Sequence, residues 1–570
     1  MLAVLLTIFM FSQGLSLEDQ GSTFITAFPE NIAYFHQKVL NYLKITCLHD
    51  NTEVTITYVG ERDKGISTRR VLHNAGFTWT WSLTKEVEVY RFNTSNNSII
   101  IRSNKNVTVL SVSGWPERFL SHVVQPIGNL GTVYHVPTLN YSELVASFDL
   151  VLNPDARYNS FRLLIINAAN QSNEVTVKQI NKQGGRSEFN QTLDKYHLFQ
   201  LPTYGEVTEI NATEKIVVIF THPCFDSKGC SCNMVLNQLR PTKSVNLSTM
   251  FYIPFHAAYP LTSIKQLFLT TNQLNISIFN STFQNAGVGV NVINSTNILP
   301  LLPGFNKTSQ LNTINKTVSL RLISPGLILD LIPESLFAAC YLVHFNSLMS
   351  EALVLAETSS TDSVQINSSG LPFTKWTVLN GTRFSWMIVK GKAANTSATI
   401  WHTDSMIAVY VIENLEYGNI YGRPAVVVSD KPDPKGCAVT PGTFVIGDEE
   451  LNWFQSREYC IGHSDYFARP FSERLVNKMV LNITVPTPVE GWISLRRDLF
   501  TREWYWRSED SFSPQVNFTY WEQGQPDAPE KGLCASVLLD PAKTFKWKSA
   551  RCCSKKKPIC YNNPKYLTLV

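Results

Sequence analysis

Val107-Thr108-Val109-Leu110-Ser111-Val112, followed by Gln125-Pro126 and then by Tyr134-His135-Val136-Pro137, is the stretch that decides how most of this chain folds. The same order returns as Ile216-Val217-Val218-Ile219-Phe220, Arg240-Pro241 and Phe251-Tyr252-Ile253-Pro254, with weaker echoes at Leu327 to Leu331 and Met406 to Val411. A period of this length is that of a repeated domain and not of a solenoid turn. Around these runs apolar residues alternate with polar ones: Val54, Ile56 and Tyr58 between threonines, Val175 and Val177, then Leu274, Ile276 and Ile278. Period two with β-branched and aromatic side chains reads as strands. Asn380-Gly381 and Gly184-Gly185 read as turns, and long amphipathic helical patterns are absent. The region is expected to be all-β, in four tandem antiparallel sandwich-like units at about 21–140, 141–256, 257–346 and 347–428.

The chain has 570 residues, more than one hydrophobic core organises, so several domains are required. It is 44% hydrophobic and 16% charged with a net charge of +4, too mild for a nucleic-acid binder. Met1 to Ser16 carries a short apolar run (Leu2, Val4, Leu5, Leu6, Ile8, Phe9, Met10, Phe11) before small and polar residues, which reads as a signal peptide although it lacks Lys or Arg. No later segment offers the roughly 18 uninterrupted apolar residues of a membrane span. Leu327 to Phe345 is broken by Asp330, Pro333 and Glu334. The expected location is extracellular. Asn-x-Ser/Thr sequons support it, because they serve only a chain that meets the glycosylation machinery. They stand at Asn93, Asn96, Asn106, Asn140, Asn170, Asn190, Asn211, Asn246, Asn275, Asn280, Asn294, Asn306, Asn315, Asn367, Asn380, Asn395, Asn482 and Asn517. In that compartment the eleven cysteines should mostly pair, and the odd total leaves one thiol unpaired or bonded to another chain. Cys230 and Cys232 have no second Cys or His pair at zinc-finger spacing, which favours a disulfide over a metal site.

Three blocks of sequence now bear on family. Gly21-Ser22-Thr23-Phe24-Ile25-Thr26-Ala27-Phe28, Gln125-Pro126-Ile127-Gly128-Asn129-Leu130-Gly131-Thr132, and His222-Pro223-Cys224 through Cys232-Asn233 to Gln238-Leu239-Arg240-Pro241 resemble the N-terminal region of the IgG Fc-binding protein family. The resemblance runs over about residues 21–428, through Cys340 to Tyr417-Gly418-Asn419-Ile420-Tyr421-Gly422. The von Willebrand D-type domains of the family's mucosal members have no counterpart in this sequence. The resemblance implies binding of immunoglobulin Fc. It also implies that Cys224 pairs within its own loop, with Cys232 preferred to Cys230. Cys47 and Cys340 would then be left to each other and Cys230 would be the odd thiol.

Ser429-Asp430-Lys431-Pro432-Asp433-Pro434-Lys435-Gly436 has the composition of a linker, with a second domain expected from 437 to 561. Leu451-Asn452-Trp453 with Cys460, Phe471 to Met479, Gly491-Trp492-Ile493-Ser494-Leu495, Trp506, Phe518 to Trp521, and Trp521-Glu522-Gln523-Gly524-Gln525-Pro526-Asp527 together resemble the C-type lectin domain, an α+β fold. Trp547, Cys534, Cys552 and Cys560 stand at that family's spacing. Two helices and a central strand are implied. So are the pairs Cys460–Cys560 and Cys534–Cys552, which would tie a loop between Trp521 and Trp547 too irregular to hold by burial, at roughly 2–4 kcal/mol each. Cys437 with Cys553 is the expected third pair.

In sugar-binding members the Gln525-Pro526-Asp527 triplet supplies oxygens, around a cis proline, that bind calcium and sugar hydroxyls together, usually with galactose-type preference. Calcium needs six to eight oxygens. Here Gly532 stands where the family has an acidic ligand, and Lys548-Ser549 replace its Asn-Asp pair, with Glu530 as a displaced alternative. The reading is therefore a domain without calcium, with Gln525, Asp527 and Lys548 as glycan-binding candidates and Asp527 as the expected ion-pair partner of Lys548. Gln525, Asp527 and Glu530 are the weaker metal-ligand candidates. The acid-free run Lys543, Lys546, Lys548, Arg551, Lys555, Lys556, Lys557 is either a solvated face or a patch for sulfated or sialylated glycans or anionic lipid. No His-Glu-x-x-His helix, nucleophile elbow or phosphate loop is present. His222 beside Cys224 raises a thiol nucleophile, but a cysteine in a cysteine-rich loop of a secreted protein is oxidised. The expected function is recognition of glycans or glycoproteins, immunoglobulin Fc among them, in mucosal or innate defence, and not catalysis. The rival is a structural mucus or matrix component with a lectin-like domain that binds no sugar.

Overall fold

The computed structural model describes residues 18–570 apart from 33–39, 60–65, 84–86, 116–117, 148–151, 153–154, 182, 227–232, 243–248, 255–265, 272–275, 281–289, 293–295, 301–309, 314–317, 325–326, 368, 371–374, 415–419, 508–515 and 541–543. The signal-peptide segment lies outside the described residues, as do Cys230, Cys232, Asn246, Asn275, Asn294, Asn306, Asn315 and Lys543. The chain forms two compact units, residues 1–437 with 567–570, and residues 438–566.

In the first unit the repeated apolar runs are the spines of sheets. The spine Ile99–Trp115 pairs with Gln20–Thr26, Leu40–Cys47, Thr52–Val59 and Arg118–Val124, while Thr78–Leu83 and Ile66–His73 add outer strands. The next repeat has the same plan. Its spine Val207–Asp226 takes Gly131–Val136, Phe161–Asn167, Asn173–Ile180 and Asn233–Gln238, with Leu198–Thr203 and Arg186–Leu193 outside. Strand character follows burial. Leu40–Cys47 is covered on both faces and Thr52–Val59 alternates buried and half-buried, whereas the edge strand Ile66–His73 has no buried residue.

This pairing corrects the expected unit boundaries. Tyr134-His135-Val136 opens the second sheet instead of closing the first, because Gly131–Val136 pairs with Val207–Asp226. Thr249–Tyr252 pairs forward with Gln310–Thr313, and Cys340–Phe345 pairs forward with Thr396–His402 and Val426–Ser429. The apolar-then-proline signature thus marks the first strand of a repeat, a distinction that depends on non-local pairing. The last repeat is two five-stranded sheets over a core of Tyr341, Val343, Val354, Ile400 and Val409.

The ends of this unit are stitched together by hydrogen bonds. Asp19 donates its backbone N–H to Val427 O (2.8 Å) and accepts from Val427 N on its carboxylate (2.8 Å). Arg423 Nε donates to Ser121 Oγ at 2.7 Å, and Lys44 Nζ donates to Asn346 Oδ1 at 2.7 Å. The seam is buried, so its charges are perturbed: desolvation lowers the Lys44 ammonium to about 8, against the pull of Glu413, and Arg423 to about 10.

Disulfide pairing departs from expectation. Cys340 bonds to Cys437, so neither the Cys47–Cys340 nor the Cys437–Cys553 pair exists. Cys340 opens a strand whose partner in register is Ser429, which lays the following chain beside it with Cα atoms 5.5 Å apart. Cys47 is a buried free thiol at the end of its strand, and Cys553 is free and exposed. Cys437 therefore closes the first unit. Cys224 is disulfide-bonded, and both of its expected partners lie outside the described residues.

The second unit is α+β. Its sheet runs Thr443–Ile446, Lys557–Asn562, Val489–Arg497, Cys534–Leu539, Trp547–Ala550, with one parallel pairing between Val489–Arg497 and Lys557–Asn562. The helix Trp453–His463 starts at a capping box in which Asn452 and Gln455 satisfy each other's backbone N–H groups. The helix Glu473–Asn482 is capped by Ser472. Trp453, Trp492, Trp506 and Trp547 are all buried, the last two against each other and Trp547 also against Phe518 and Trp521. Cys460–Cys560 ties the first helix to the sheet, and Cys534–Cys552 closes an 18-residue separation at the base of the long loop.

Candidate functional site

The long loop Trp521–Trp547 is anchored by its ends: Glu522 N donates to Trp547 O and Trp547 N to Tyr520 O, each at 2.9 Å. Gln525-Pro526 is a cis peptide, and Gly524 before it has φ +82°, a conformation open to glycine at no steric cost. Three side chains then lock together. Gln525 Oε1 accepts from both the backbone N and the Oγ of Ser549 (2.8 Å each), Gln525 Nε2 donates to Asp527 Oδ2 (3.2 Å), and Asp527 N donates to Ser549 Oγ (2.8 Å). Ser549, which the sequence marks only as a departure from the Asn-Asp pair of the calcium-binding family, is the residue that ties Gln525 and Asp527 together.

Lys548 does not pair with Asp527. Its ammonium lies 3.0 Å from Glu522 Oε2. The cause is strand alternation: Trp547 faces the core and Ser549 faces the triplet, so Lys548 between them points to the opposite face. Asp527 is instead approached by Lys531 at 3.9 Å, and its backbone carbonyl accepts from Arg497 Nη1 at 3.0 Å.

These donors do not suit calcium. The Gln525 oxygen is committed to two Ser549 donors, and an ammonium at Lys548 offers no acceptor. Gly532 cannot be replaced by an acid without rearrangement, because a Cβ there would stand 2.5 Å from the Ala550 backbone nitrogen. Glu530 is exposed in the adjoining turn. Among the described residues no group of three His, Cys, Asp or Glu side chains could hold a metal ion.

The basic run is not one free patch. Lys546 sits 3.4 Å from the centre of the Tyr520 ring, Lys548 pairs with Glu522, and Lys556 pairs with Glu490 over the Trp492 ring. Arg551 and Lys555 are exposed. His222 is buried and stacked on Tyr141 (4.1 Å between ring centres). Its Nδ1 accepts from Cys224 N, and burial, aided by Arg162, pushes it down to about 3. With Cys224 in a disulfide, the pair offers no thiolate.

Of the sequon asparagines among the residues with described side chains, Asn93, Asn96, Asn106, Asn170, Asn190, Asn367, Asn380, Asn395, Asn482 and Asn517 are exposed and Asn140 and Asn211 half-buried. No helix among the described residues is long and apolar enough to cross a membrane.

Residues 449–562 match the family model of the lectin C-type domain, and residues 120–258 match that of the IgGFc binding protein, which supports an extracellular binding or recognition role. Over 228 residues, 39% of this chain, the sequence is 22% identical to the human IgGFc-binding protein. That match spans 4% of the relative's length. Solved structures similar to the C-terminal unit include human lithostathine, at 19% identity, covering 21% of this chain and 90% of that one with a TM-score of 0.19. The mouse scavenger receptor C-type lectin carbohydrate-recognition domain is also similar, at 19% identity, covering 22% and 92% with a TM-score of 0.19.

Proposed function

We propose that the chain is a secreted, glycosylated recognition protein, not a catalyst, whose C-terminal domain binds glycans or glycoproteins through the Gln525–Asp527 loop without calcium. The observation that carries this reading is the set of protein contacts within the loop: Ser549 bonds both Gln525 and Asp527, and Lys548–Glu522 clamps the loop base. A preformed loop needs no ion to order it, and the remaining Asp527 and Gln525 valences, with Lys531 beside them, are hydrogen-bonding groups for hydroxyls or anionic sugars. The N-terminal repeats present the protein-binding surface, with immunoglobulin Fc as the first partner to try, and mucosal or innate defence is the setting the two modules suggest. The test is a glycan array probed with the full chain in millimolar calcium and in EDTA, beside a binding measurement on immobilised Fc. Binding that persists in EDTA and weakens with salt supports the reading; binding abolished by EDTA refutes it.

One observation favours a second reading. The exposed thiol of Cys553 is placed to crosslink chains, as a structural component of a matrix requires. Disulfide-linked multimers on a non-reducing gel, abolished by Cys553→Ser, would favour it.

A further inference from the structure

Arg186–Leu193 is the outermost strand of the second repeat's sheet: it pairs with Asn173–Ile180 on one side, and among the described residues no strand pairs with its other side. Six of its eight residues are exposed, so the edge is open to solvent. A free edge of this length is a template for pairing with another chain, and folded proteins blunt such edges with charge, proline or a cover. Its counterpart in the first repeat, Ile66–His73, is blunted by charge, because antiparallel pairing of two copies about its centre sets Arg69 of one against Arg70 of the other. Arg186–Leu193 has no such guard. Its two charges, Arg186 and Glu188, are of opposite sign, it contains no proline, and Phe189 is 48% exposed. Pairing of two copies about Ser187 even sets Arg186 opposite Glu188.

What the strand does carry is a glycosylation sequon at its middle, Asn190-Gln191-Thr192. Side chains alternate, so Asn190 shares the outer face with Glu188 and Thr192, while Phe189 and Gln191 turn to the side of the buried Val175 and Val177. Directly across the ladder stands Thr176, whose Oγ1 donates to Asn190 Oδ1 at 2.7 Å. That bond turns the amide. With Oδ1 drawn toward Thr176, Nδ2, the atom that takes the sugar, faces the free edge. Asn211, the sequon asparagine on the other side of Thr176 in the same row, is the contrast: its Nδ2 donates to Glu209 Oε1 at 2.6 Å. Neighbouring strands lie about 4.8 Å apart, so the first pyranose ring on Asn190 Nδ2 stands over the place that an added strand takes.

We propose that the N-glycan on Asn190 is an edge guard: it covers the free edge of the second repeat's sheet and keeps two copies of this chain from pairing edge to edge through Arg186–Leu193. The inference rests on the secreted, glycosylated reading above and singles out this one sequon by its geometry.

The test uses the full chain expressed in cells that add N-glycans, with Cys553→Ser in every sample so that the exposed thiol does not crosslink them. Glycopeptide mass spectrometry reads each sequon, and Asn190 should be occupied. Thr192→Ala removes the sequon but leaves Asn190 and its bond to Thr176 in place, and because Thr192 is exposed the melting temperature should not change. In sedimentation velocity Thr192→Ala should self-associate about tenfold more tightly than the parent, the order that a few added cross-strand pairs supply. Amide hydrogen exchange of the peptide Arg186–Leu193 should then slow as the variant's concentration rises, while that of Ile66–His73 does not. An Asn190 left bare in a chain whose other sequons carry sugar overturns this inference alone; bare asparagines at every sequon overturn the glycosylated reading with it. A Thr192→Ala variant that associates no more tightly than the parent, or that associates without slowing exchange in Arg186–Leu193, also overturns it.

Discussion

His122 lies fully buried in the seam between the first and last repeats, both ring nitrogens without a hydrogen-bond partner, with Arg423 as its charged neighbour and Lys44, Glu413 and Asp19 in the same seam. Burial, and then Arg423, push its pKa down to about 3 from the ordinary 6.5. A group whose folded pKa is depressed contributes stability above its unfolded pKa and loses it as pH falls through that value toward the folded one. The window here runs from 6.5 down to about 3. At about pH 4.5 the unfolded imidazole is almost wholly protonated and the folded one is not, a loss of about 2–3 kcal/mol relative to pH 7.5. His222, also lowered to about 3, adds a similar loss, while Asp19 and Glu413, raised by burial, act in the opposite direction. The clean quantity is therefore a difference between variants. His122→Leu, which fills the site without titrating, should shrink the pH-dependent loss by about 2–3 kcal/mol. Hydrogen exchange of the peptide covering Arg118–Val124 at the two pH values measures it. If wild type and His122→Leu lose protection equally between pH 7.5 and 4.5, the reasoning from burial is wrong.

Cys437→Ser should destabilise the last repeat by about 2–5 kcal/mol, and non-reducing peptide mapping of the wild type should recover Cys340 linked to Cys437. Gly532→Asp, which restores an acid at the family's ligand position, should lower the melting temperature without creating a calcium-dependent rise, because its Cβ meets the Ala550 backbone. Trp492→Ala should cost about 3–5 kcal/mol in the C-terminal unit, seen as an early unfolding transition with the N-terminal unit unaffected.

How much was legible depended on how local the information was. Alternation at Val54, Ile56 and Tyr58 announces a strand because the two-residue period is a property of the backbone. The capping residues Asn452 and Ser472 likewise mark their helices within a few positions. The cysteine and tryptophan spacing of the C-terminal unit and the Gln525-Pro526-Asp527 triplet are short linear patterns, so the class of domain was open to reading. The repeat itself was visible, since both spines carry runs rich in β-branched residues followed by a proline signature.

What the tertiary structure alone decided were the pairings between residues far apart in sequence. Whether Tyr134-His135-Val136 ends one sheet or begins the next depends on hydrogen bonds to a strand some seventy residues on. Cys340 found Cys437 because strand register sets Ser429 beside it, information that no cysteine count contains. Lys548 turned to Glu522 because its strand faces alternate, and Gly532 excludes an acid because the Ala550 backbone passes so close. Leu499 and Phe500 read in sequence as ordinary apolar residues beside a strand; only the closed turn, held by Asp498, places them in solvent. Sequence fixed periodicity and residue chemistry, and the fold decided which residues meet, because contact depends on register and chain path while periodicity depends on the local backbone.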